Sequence, residues 1–267
     1  MKANIIDKTG KSVGDFSFEN TAPAVRDDIF KKAVLAEFSL FRQEKGAKLT
    51  AGKRQTINVS KRRKAFRSTY GKGGSRTPKK AMWARGSQIR FVGAFVSQTT
   101  GGRRAHPPKA AKKIVKDMNT KEWNAAIKTG YTASLNKDLV AANGQKLPTN
   151  YPIVLDNSVE EMTKTKEFVT LLNTLGFEEE LERTSERKIR AGRGTMRNRT
   201  YKVKRGPLVV VSSSESPLVK AARNIQGFDV VSADLLLACD FGMSEKPGRA
   251  VIFTQKAAEE FKEVINS

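Results

Sequence analysis

The chain is poor in the residues that build most metal sites and catalytic centres. Its 267 residues include one cysteine and one histidine. A single cysteine, Cys239, cannot form an internal disulfide or a cysteine-based zinc site, which fits a reducing cytosol. A single histidine, His106, removes most Ser-His-Asp, Cys-His and histidine-metal arrangements. We therefore expect no catalytic site, no bound metal and no cofactor.

Long apolar runs are also missing. No run approaches the roughly 18 residues of a membrane span, and no apolar region at the N-terminus has the form of a signal peptide. The composition therefore predicts a cytoplasmic protein without a membrane partner.

The most informative absence is that of acidic residues from two segments. Lys45 to Lys113 holds 20 of the 50 Lys and Arg residues and no Asp or Glu, and Arg187 to Arg205 holds nine more, again without an acid. The formal charge of +23 comes from these segments, because the remainder has 21 basic and 27 acidic residues. Segments of a single charge sign indicate a polyanionic partner such as nucleic acid.

The N-terminal half alternates short structured elements with the first basic segment. Residues 2–7 and 12–18 predict a β-hairpin, and apolar residues at helical spacing predict a helix over 26–44. Pro107 and Pro108 predict a helix start, followed by two helices over 109–117 and 120–133. Residues 136–150 are expected to form a polar loop.

The C-terminal half has the rhythm of an α/β protein. Continuous apolar strands are predicted at 152–155, 208–211, 229–231 and 250–253, with helices near Val159, from Pro217, over 232–239 and over 255–265. Apolar strands that alternate with helices favour a parallel sheet covered on both faces. The predicted fold class is α/β, a Rossmann-like layered domain with a mostly parallel sheet and a long basic internal loop.

Residues 1–46 and 107–267 are predicted to form the globular domain. The inserted loop over 47–106 has little periodicity and too few apolar groups to offset ordering entropy, so we expect it to be largely disordered when free. Residues 187–206 form a second basic loop.

Candidate sites for chemistry have simpler structural explanations. The glycines of 71–75 and 192–194 lack P-loop spacing and instead allow close approach to a phosphodiester backbone. Asp156, Glu160 and Glu161 are expected to interact with a helix dipole. The serines of 212–216 lack a nucleophile elbow, and Cys239 is expected in the core.

The first basic segment also contains large apolar residues among its cations. Two interpretations stay open: a small satellite core, or rings that stack on unpaired bases while Lys and Arg contact phosphates, which suits folded RNA. These residues are Phe66, Tyr70, Met82, Trp83, Ile89, Phe91, Val92, Phe95 and Val96.

Three sequence stretches resemble the archaeal and eukaryotic type of the large-subunit ribosomal protein L-four family. They are 71–80 (GKGGSRTPKK), 100–109 (TGGRRAHPPK), which is the most specific, and 119–122 (NTKE). The order of parts is similar over essentially the whole chain. The resemblance implies a structural constituent of the large ribosomal subunit, with a globular α/β domain on its outer face and a loop threaded through 23S-type ribosomal RNA.

The resemblance also implies partners and a place for the loop tip. Partners would be large-subunit RNA, neighbouring large-subunit proteins and, at the tip, the nascent polypeptide in the exit tunnel. The base of the loop would include Arg103, Arg104 and His106. The tip would fall within 76–92, with Arg76, Lys79, Met82, Trp83, Arg85, Gln88 and Arg90 facing the tunnel.

The remaining expected RNA contacts are the cations and rings of both basic segments. In the first they are Lys53, Arg54, Lys61, Arg62, Arg63, Lys64, Arg67, Tyr70, Lys72, Arg76, Lys79, Lys80, Trp83, Arg85, Arg90, Phe91, Arg103, Arg104 and His106. In the second they are Arg190, Arg193, Arg197, Arg199 and Lys202.

Two other functions are compatible with the composition. One is a free RNA chaperone or messenger-RNA-binding repressor, which would bind many RNAs weakly. The other is an enzyme that uses the α/β half as a cofactor domain, although no sheet-edge loop carries a glycine fingerprint.

Overall fold

The computed structural model describes residues 2–18, 24–57, 60, 62–86 and 88–266. Its strands are β1 (Lys2–Ile6), β2 (Ser12–Ser17), β3 (Lys79–Arg85), β4 (Gln88–Gly93), β5 (Ile153–Leu155), β6 (Lys188–Ile189), β7 (Tyr201–Lys202), β8 (Leu208–Val211), β9 (Asp229–Ser232) and β10 (Val251–Thr254). Its α-helices are α1 (Asp27–Leu40), α2 (Thr120–Leu135), α3 (Lys137–Ala142), α4 (Thr165–Thr174), α5 (Glu178–Ser185), α6 (Pro217–Arg223) and α7 (Gln255–Asn266).

The chain divides into two compact units. Residues 1–41 and 115–267 form one, which we call the body, and residues 42–114 form the other, which we call the arm unit. Inside the body, the backbone N–H of Lys116 donates to Ser39 Oγ at 2.9 Å. This bond holds together the two points at which the chain leaves and re-enters the body.

The body is a mixed α/β fold around a six-stranded sheet in the order β2-β1-β5-β10-β8-β9. The hairpin pair β1 and β2 is antiparallel, and the other neighbours are parallel. The α/β class and the mostly parallel sheet predicted from the sequence are confirmed.

Alternate residues of each central strand enter different hydrophobic clusters. Val154, Val210 and Phe253 pack with Phe30 and Phe261, from α1 and α7, whereas Leu155, Val209 and Ile252 pack in a cluster that includes residues of α4 and α6. Side chains of a strand point alternately to opposite faces, so the two clusters lie on opposite faces of the sheet. Burial on both faces explains the continuous apolar strands.

Several predicted helices are shorter or differ in kind. The first ends at Leu40 rather than at residue 44. Residues near Val159 and the run 232–239 form 3₁₀ turns, at Asn157–Glu161, Ala233–Leu235 and Ala238–Phe241. Where residues 136–150 were expected to be a loop, α3 forms, started by Asn136 Oδ1, which accepts from the N–H of Asp138 at 3.0 Å.

The predicted helix over 109–117 is wrong. This stretch has one turn, in which the N–H of Lys112 donates to the carbonyl of Lys109 at 3.3 Å, and no helix. Lys109, Lys112 and Lys116 would share one helix face, where like charges repel, and the apolar pair Ile114 and Val115 is β-branched.

Candidate nucleic-acid interface

The arm unit presents its cations to solvent. Of its predicted RNA contacts, Lys79, Lys80, Phe91 and Arg103 are half-buried, and Lys61 lies outside the described residues. The others are exposed: Lys53, Arg54, Arg62, Arg63, Lys64, Arg67, Tyr70, Lys72, Arg76, Trp83, Arg85, Arg90, Arg104 and His106. Because residues 45–113 contain no carboxylate, this surface has one sign of charge.

Two chain segments pack side by side where the arm unit begins and ends, at 52–55 and 101–103, which we call the neck. Gly52 has φ +72°, and a Cβ built on it would lie 2.6 Å from Arg103 Cα. Gln55 Nε2 donates to the carbonyl of Gly101 at 3.3 Å, and the N–H of Arg103 donates to the carbonyl of Phe95 at 3.2 Å. The outgoing and returning chains are thus in direct contact.

Next to the neck in sequence, an open cleft of about 900 Å³ is lined by Lys45, Gly46, Ala47, Arg104, His106, Pro107, Pro108, Lys109, Ala111 and Lys112. The structure brings Arg104 and His106, both predicted contacts, into one cationic concavity. Sequence reasoning missed Lys45, Lys109 and Lys112 as members. Their only signal was their place in the acid-free segment.

The stretch from Ser60 to Arg76 is organised around Ser68, which is buried. Its Oγ donates toward the carbonyls of Arg62, at 2.8 Å, and Ser60, at 3.1 Å, and accepts from the N–H of Tyr70. The Arg67 guanidinium lies 5.2 Å from the Phe66 ring centroid, and that of Arg76 lies 5.3 Å from the Tyr70 centroid. Each guanidinium therefore forms a cation–π pair with a nearby ring.

Strands β3 and β4 pair as an antiparallel hairpin, where the sequence predicted little regular structure. Ala81 and Phe91, and Ala84 and Ile89, are cross-strand partners, and pairing shifts between Ala81 and Trp83. These apolar cross-strand pairs favour a β-hairpin, a signal that was overlooked in the sequence because the segment is so highly charged. Predicted tip residues Lys79, Met82, Trp83, Arg85, Gln88 and Arg90 lie on this hairpin, and Arg76 precedes it.

The exposure of three large apolar side chains of the arm unit argues against a satellite core formed by them. Phe66 is 73% exposed, Met82 58% and Trp83 49%, so these side chains do not form a satellite core. Ile89 and Phe91 instead line a cleft of about 190 Å³ with Thr69, Lys72, Gly74 and Lys79. The arrangement offers rings and cations together to a partner.

The second basic segment, residues 187–206, forms a small hairpin of β6 and β7, which we call the basic hairpin. Its connection is closed by the N–H of Arg190, which donates to the carbonyl of Thr200 at 2.8 Å, and by that of Arg199, which donates to the carbonyl of Gly194 at 3.0 Å. Arg193, Arg197, Arg199 and Lys202 are exposed. Arg190 is half-buried and its guanidinium donates to the carbonyls of Arg199 and Tyr201, so it also braces the hairpin.

Buried charges in the body fix the end of the basic hairpin. Arg249 has no exposed surface and donates to the carbonyls of Gly206 and Pro207, at 2.7 and 3.2 Å, while its Nη2 lies 2.8 Å from Asp229 Oδ2. Burial lowers the pKa of Arg249 to about 10, which leaves it charged at neutral pH. Arg249 therefore fixes the point at which the basic hairpin joins β8.

The carboxyl edge of the parallel strands, where many α/β proteins bind ligands, is occupied by the chain's own Glu160. Its carboxylate accepts from the N–H of Ser212 at 2.9 Å, from Ser212 Oγ at 2.6 Å and from Thr254 Oγ1. Asp156 caps the following 3₁₀ turn by accepting from the N–H of Ser158, and Glu161 binds Lys8 Nζ at 3.0 Å. These carboxylates are cross-links between body elements.

Cys239 is buried in the body, as expected. Burial is the main cause that raises the pKa of its thiol well above the ordinary range, and the neighbouring Asp240 and Glu37 carboxylates raise it further. The thiol is therefore protonated and unreactive at neutral pH. Within the described residues, no three His, Cys, Asp or Glu side chains group to hold a metal ion, and none of the helices there could span a membrane.

The amino-acid sequence matches a known protein family over most of its length. Residues 17–264 match the model of the ribosomal protein L4/L1 family. The chain is 39% identical over 239 residues to large ribosomal subunit protein uL4 of Nanoarchaeum equitans, covering 90% of this chain and 89% of the relative. It is 36% identical over 264 residues to uL4 of Halobacterium salinarum, with coverages of 97% and 98%, and 34% identical over 235 residues to uL4 of Sulfolobus acidocaldarius, with coverages of 87% and 83%.

Proposed function

The chain belongs to the ribosomal protein L4/L1 family, and from this premise we propose that its arm unit is the part that enters large-subunit ribosomal RNA. As a family member the protein is a structural constituent of the large ribosomal subunit, not an enzyme, and works bound to the ribosome in the cytoplasm. One observation carries the assignment to the arm unit: its residues 45–113 present exposed cations and rings, contain no carboxylate and are held by a packed neck.

The mechanism is charge neutralisation where RNA segments converge. Exposed Lys and Arg side chains offset phosphate repulsion and release condensed counterions, which supplies affinity independent of sequence. The rings of Phe66, Tyr70 and Trp83 stack on unpaired bases, each base contributing about 1–3 kcal/mol. The neck limits the entropy lost on insertion, because the outgoing segment 52–55 and the returning segment 101–103 are already in contact.

Finer assignments follow from the same premise. The β3–β4 hairpin is the loop tip and faces the nascent polypeptide through Met82, Trp83 and Arg85. The basic hairpin makes a second RNA contact through Arg193, Arg197, Arg199 and Lys202. The body is Rossmann-like in its layering, supported by the hydrophobic clusters on both faces of its sheet, and neighbouring large-subunit proteins bind its surface.

The test is a salt series of the affinity for large-subunit ribosomal RNA. Arg62, Arg63 and Lys64 are replaced together by Gln in one variant. The matched control replaces Lys11, Lys166 and Lys256, which are exposed on the body, so both variants lose the same charge. If the arm unit contacts phosphates, the slope of log affinity against log salt becomes shallower by about 0.9 for each lost contact in the first variant only.

Equal changes in both variants would show that net charge, not the arm unit, determines binding. An unchanged slope in both would reject this part of the arm as an RNA contact.

A further inference from the structure

The basic hairpin has two unlike faces. Lys188 and Lys202 are directly opposed across its strands, and so are Ile189 and Tyr201. Since successive residues of a strand point to opposite faces, the lysine pair lies on one face and the Ile189–Tyr201 pair on the other. The hairpin therefore combines a cationic face with an apolar one.

The apolar face is uncovered by the described part of the chain. Ile189 is 75% exposed and Tyr201 is 56% exposed, and Val203, two residues beyond Tyr201, is 47% exposed. The contact of three neighbouring apolar side chains with water is unfavourable in the free protein. A partner that covers them would gain the free energy of burying this surface.

The cationic face has too little negative charge. Like charges directly opposed across strands are destabilising. Glu186 is the nearby acid in the chain, and it is shared, with its Oε1 3.6 Å from Lys188 Nζ and its Oε2 bound to Lys204 Nζ. An anion at this face would relieve the repulsion.

We propose that the apolar face stacks on an unpaired nucleotide of ribosomal RNA, with Tyr201 against the base, while Lys188 and Lys202 bind phosphates of the RNA chain that passes the opposite face of the hairpin. This inference rests on the proposed function and narrows it, because it makes the second contact specific for a loop or bulge. Nine cations without an acid across 187–205 complement RNA and would repel a basic protein surface. A base offers the flat apolar partner that the exposed ring lacks.

Hydrogen bonds fix the backbone of the hairpin at Tyr201. Arg190 Nη2 donates to the carbonyl of Tyr201 at 3.4 Å and its Nε to that of Arg199 at 3.1 Å. Thr195 Oγ1 donates to the carbonyl of Arg190 at 2.6 Å. A backbone fixed in this way lowers the ordering cost when a base stacks on Tyr201.

The experiment measures affinity of the full-length protein for large-subunit ribosomal RNA across a salt series. Tyr201→Ala is expected to weaken binding roughly 5- to 150-fold, the range of one lost base stack, without changing the salt slope. Tyr201→Phe keeps the ring and should bind like the wild type. Lys188→Gln with Lys202→Gln should make the slope shallower by about 1.4, at about 0.7 for each single-strand phosphate.

A fully base-paired RNA distinguishes a contact with a base from a contact with the backbone, because it offers phosphates but no unpaired base. Tyr201→Ala should leave affinity for the duplex unchanged, whereas the double lysine variant should weaken it. Far-UV circular dichroism of each variant confirms folding, which the exposure of these side chains favours.

Three results would overturn the inference. If Tyr201→Ala binds ribosomal RNA normally but enters large subunits poorly, the face binds a protein. If Tyr201→Ala and Tyr201→Phe weaken binding equally, the hydroxyl, not the ring, makes the contact. If all hairpin variants bind like the wild type, the hairpin is not an RNA contact, while the arm-unit variants test the proposed function independently.

Discussion

Glu37 is a buried carboxylate of α1 that ties this helix to the turn at Ala238–Phe241. Its Oε1 accepts from the N–H of Ala238 at 2.8 Å and its Oε2 from the N–H of Cys239 at 2.6 Å. Burial is the main cause of a raised pKa, which the two backbone donors only partly offset. The burial of Glu37 was not predictable from the sequence, because its position is typical of the polar face of an amphipathic helix.

Replacement of Glu37 by Gln is expected to change both the level and the pH dependence of stability. Because the folded-state pKa lies above the ordinary value of 4.5, the stabilising contribution of Glu37 is full below that value and is lost as pH rises through the folded-state pKa. In the variant an NH2 group, which cannot accept a hydrogen bond, replaces one of the two oxygens that face the N–H donors of Ala238 and Cys239, and this costs about 1–3 kcal/mol. Urea unfolding from pH 4 to pH 7 should show a deficit of the variant that shrinks as pH rises. A constant deficit would mean that Glu37 has the same pKa in both states.

Gly130 lies in α2 where there is no room for a side chain. A Cβ there would lie 2.7 Å from Phe30 Cε2 and 2.9 Å from Phe241 Cβ. Gly130→Ala should gain about 1 kcal/mol of helix propensity but lose about 1–3 kcal/mol to overpacking, for a net loss measured by urea unfolding. Gly46→Ala, with nothing within 4 Å, is the control and should be near neutral. A stabilised Gly130→Ala protein would show that the ring of Phe30 moves freely.

At the scale of elements, the sequence predicted those parts that bury apolar residues with a regular period. The β1–β2 hairpin, α2 and the four predicted strands of the C-terminal half lie within a residue or two of their predicted ends. Two predictions in the first basic segment were wrong for different reasons. Pro107 and Pro108 predicted a helix start, but the lysines of 109–116 do not support a helix there, and the high charge of 79–93 concealed the pairing of β3 with β4. The predicted RNA contacts could be named from the cations and rings of the sequence, but the open cleft lined by Arg104 and His106 and the two faces of the basic hairpin depend on which segments meet in space.

The neck offers a matched test of an element. Gly52 and Gly71 both have positive φ, +72° and +78°, but a Cβ would meet Arg103 Cα at 2.6 Å in the first and nothing within 4 Å in the second. Replacement by Ala costs each about 1–2 kcal/mol of backbone strain, and only Gly52→Ala also separates the two chains. Amide hydrogen exchange at Arg103, whose N–H donates to Phe95, should accelerate in Gly52→Ala and stay unchanged in Gly71→Ala. Equal acceleration would indicate strain alone.

At the scale of the whole molecule, the different roles of the body and the arm unit follow from where apolar residues are buried. Every buried residue of the three hydrophobic clusters belongs to the body, whereas the described buried residues of the arm unit are Ser68, Thr69 and Ala94. The arm unit therefore contributes charge and rings, and the body contributes the free energy of folding.

The last prediction separates these roles by replacing residues 50–100 with a short Gly-Ser linker. The Lys116 to Ser39 bond keeps the chain ends of the body together, so a short linker suffices. Because the arm unit adds little buried surface, the urea midpoint and the m-value, which scales with surface exposed on unfolding, should match those of the full-length protein. Affinity for ribosomal RNA should fall and its salt slope flatten. A lower midpoint or m-value would instead place the arm unit in the folding core, and the loss of RNA binding would then reflect unfolding rather than missing contacts.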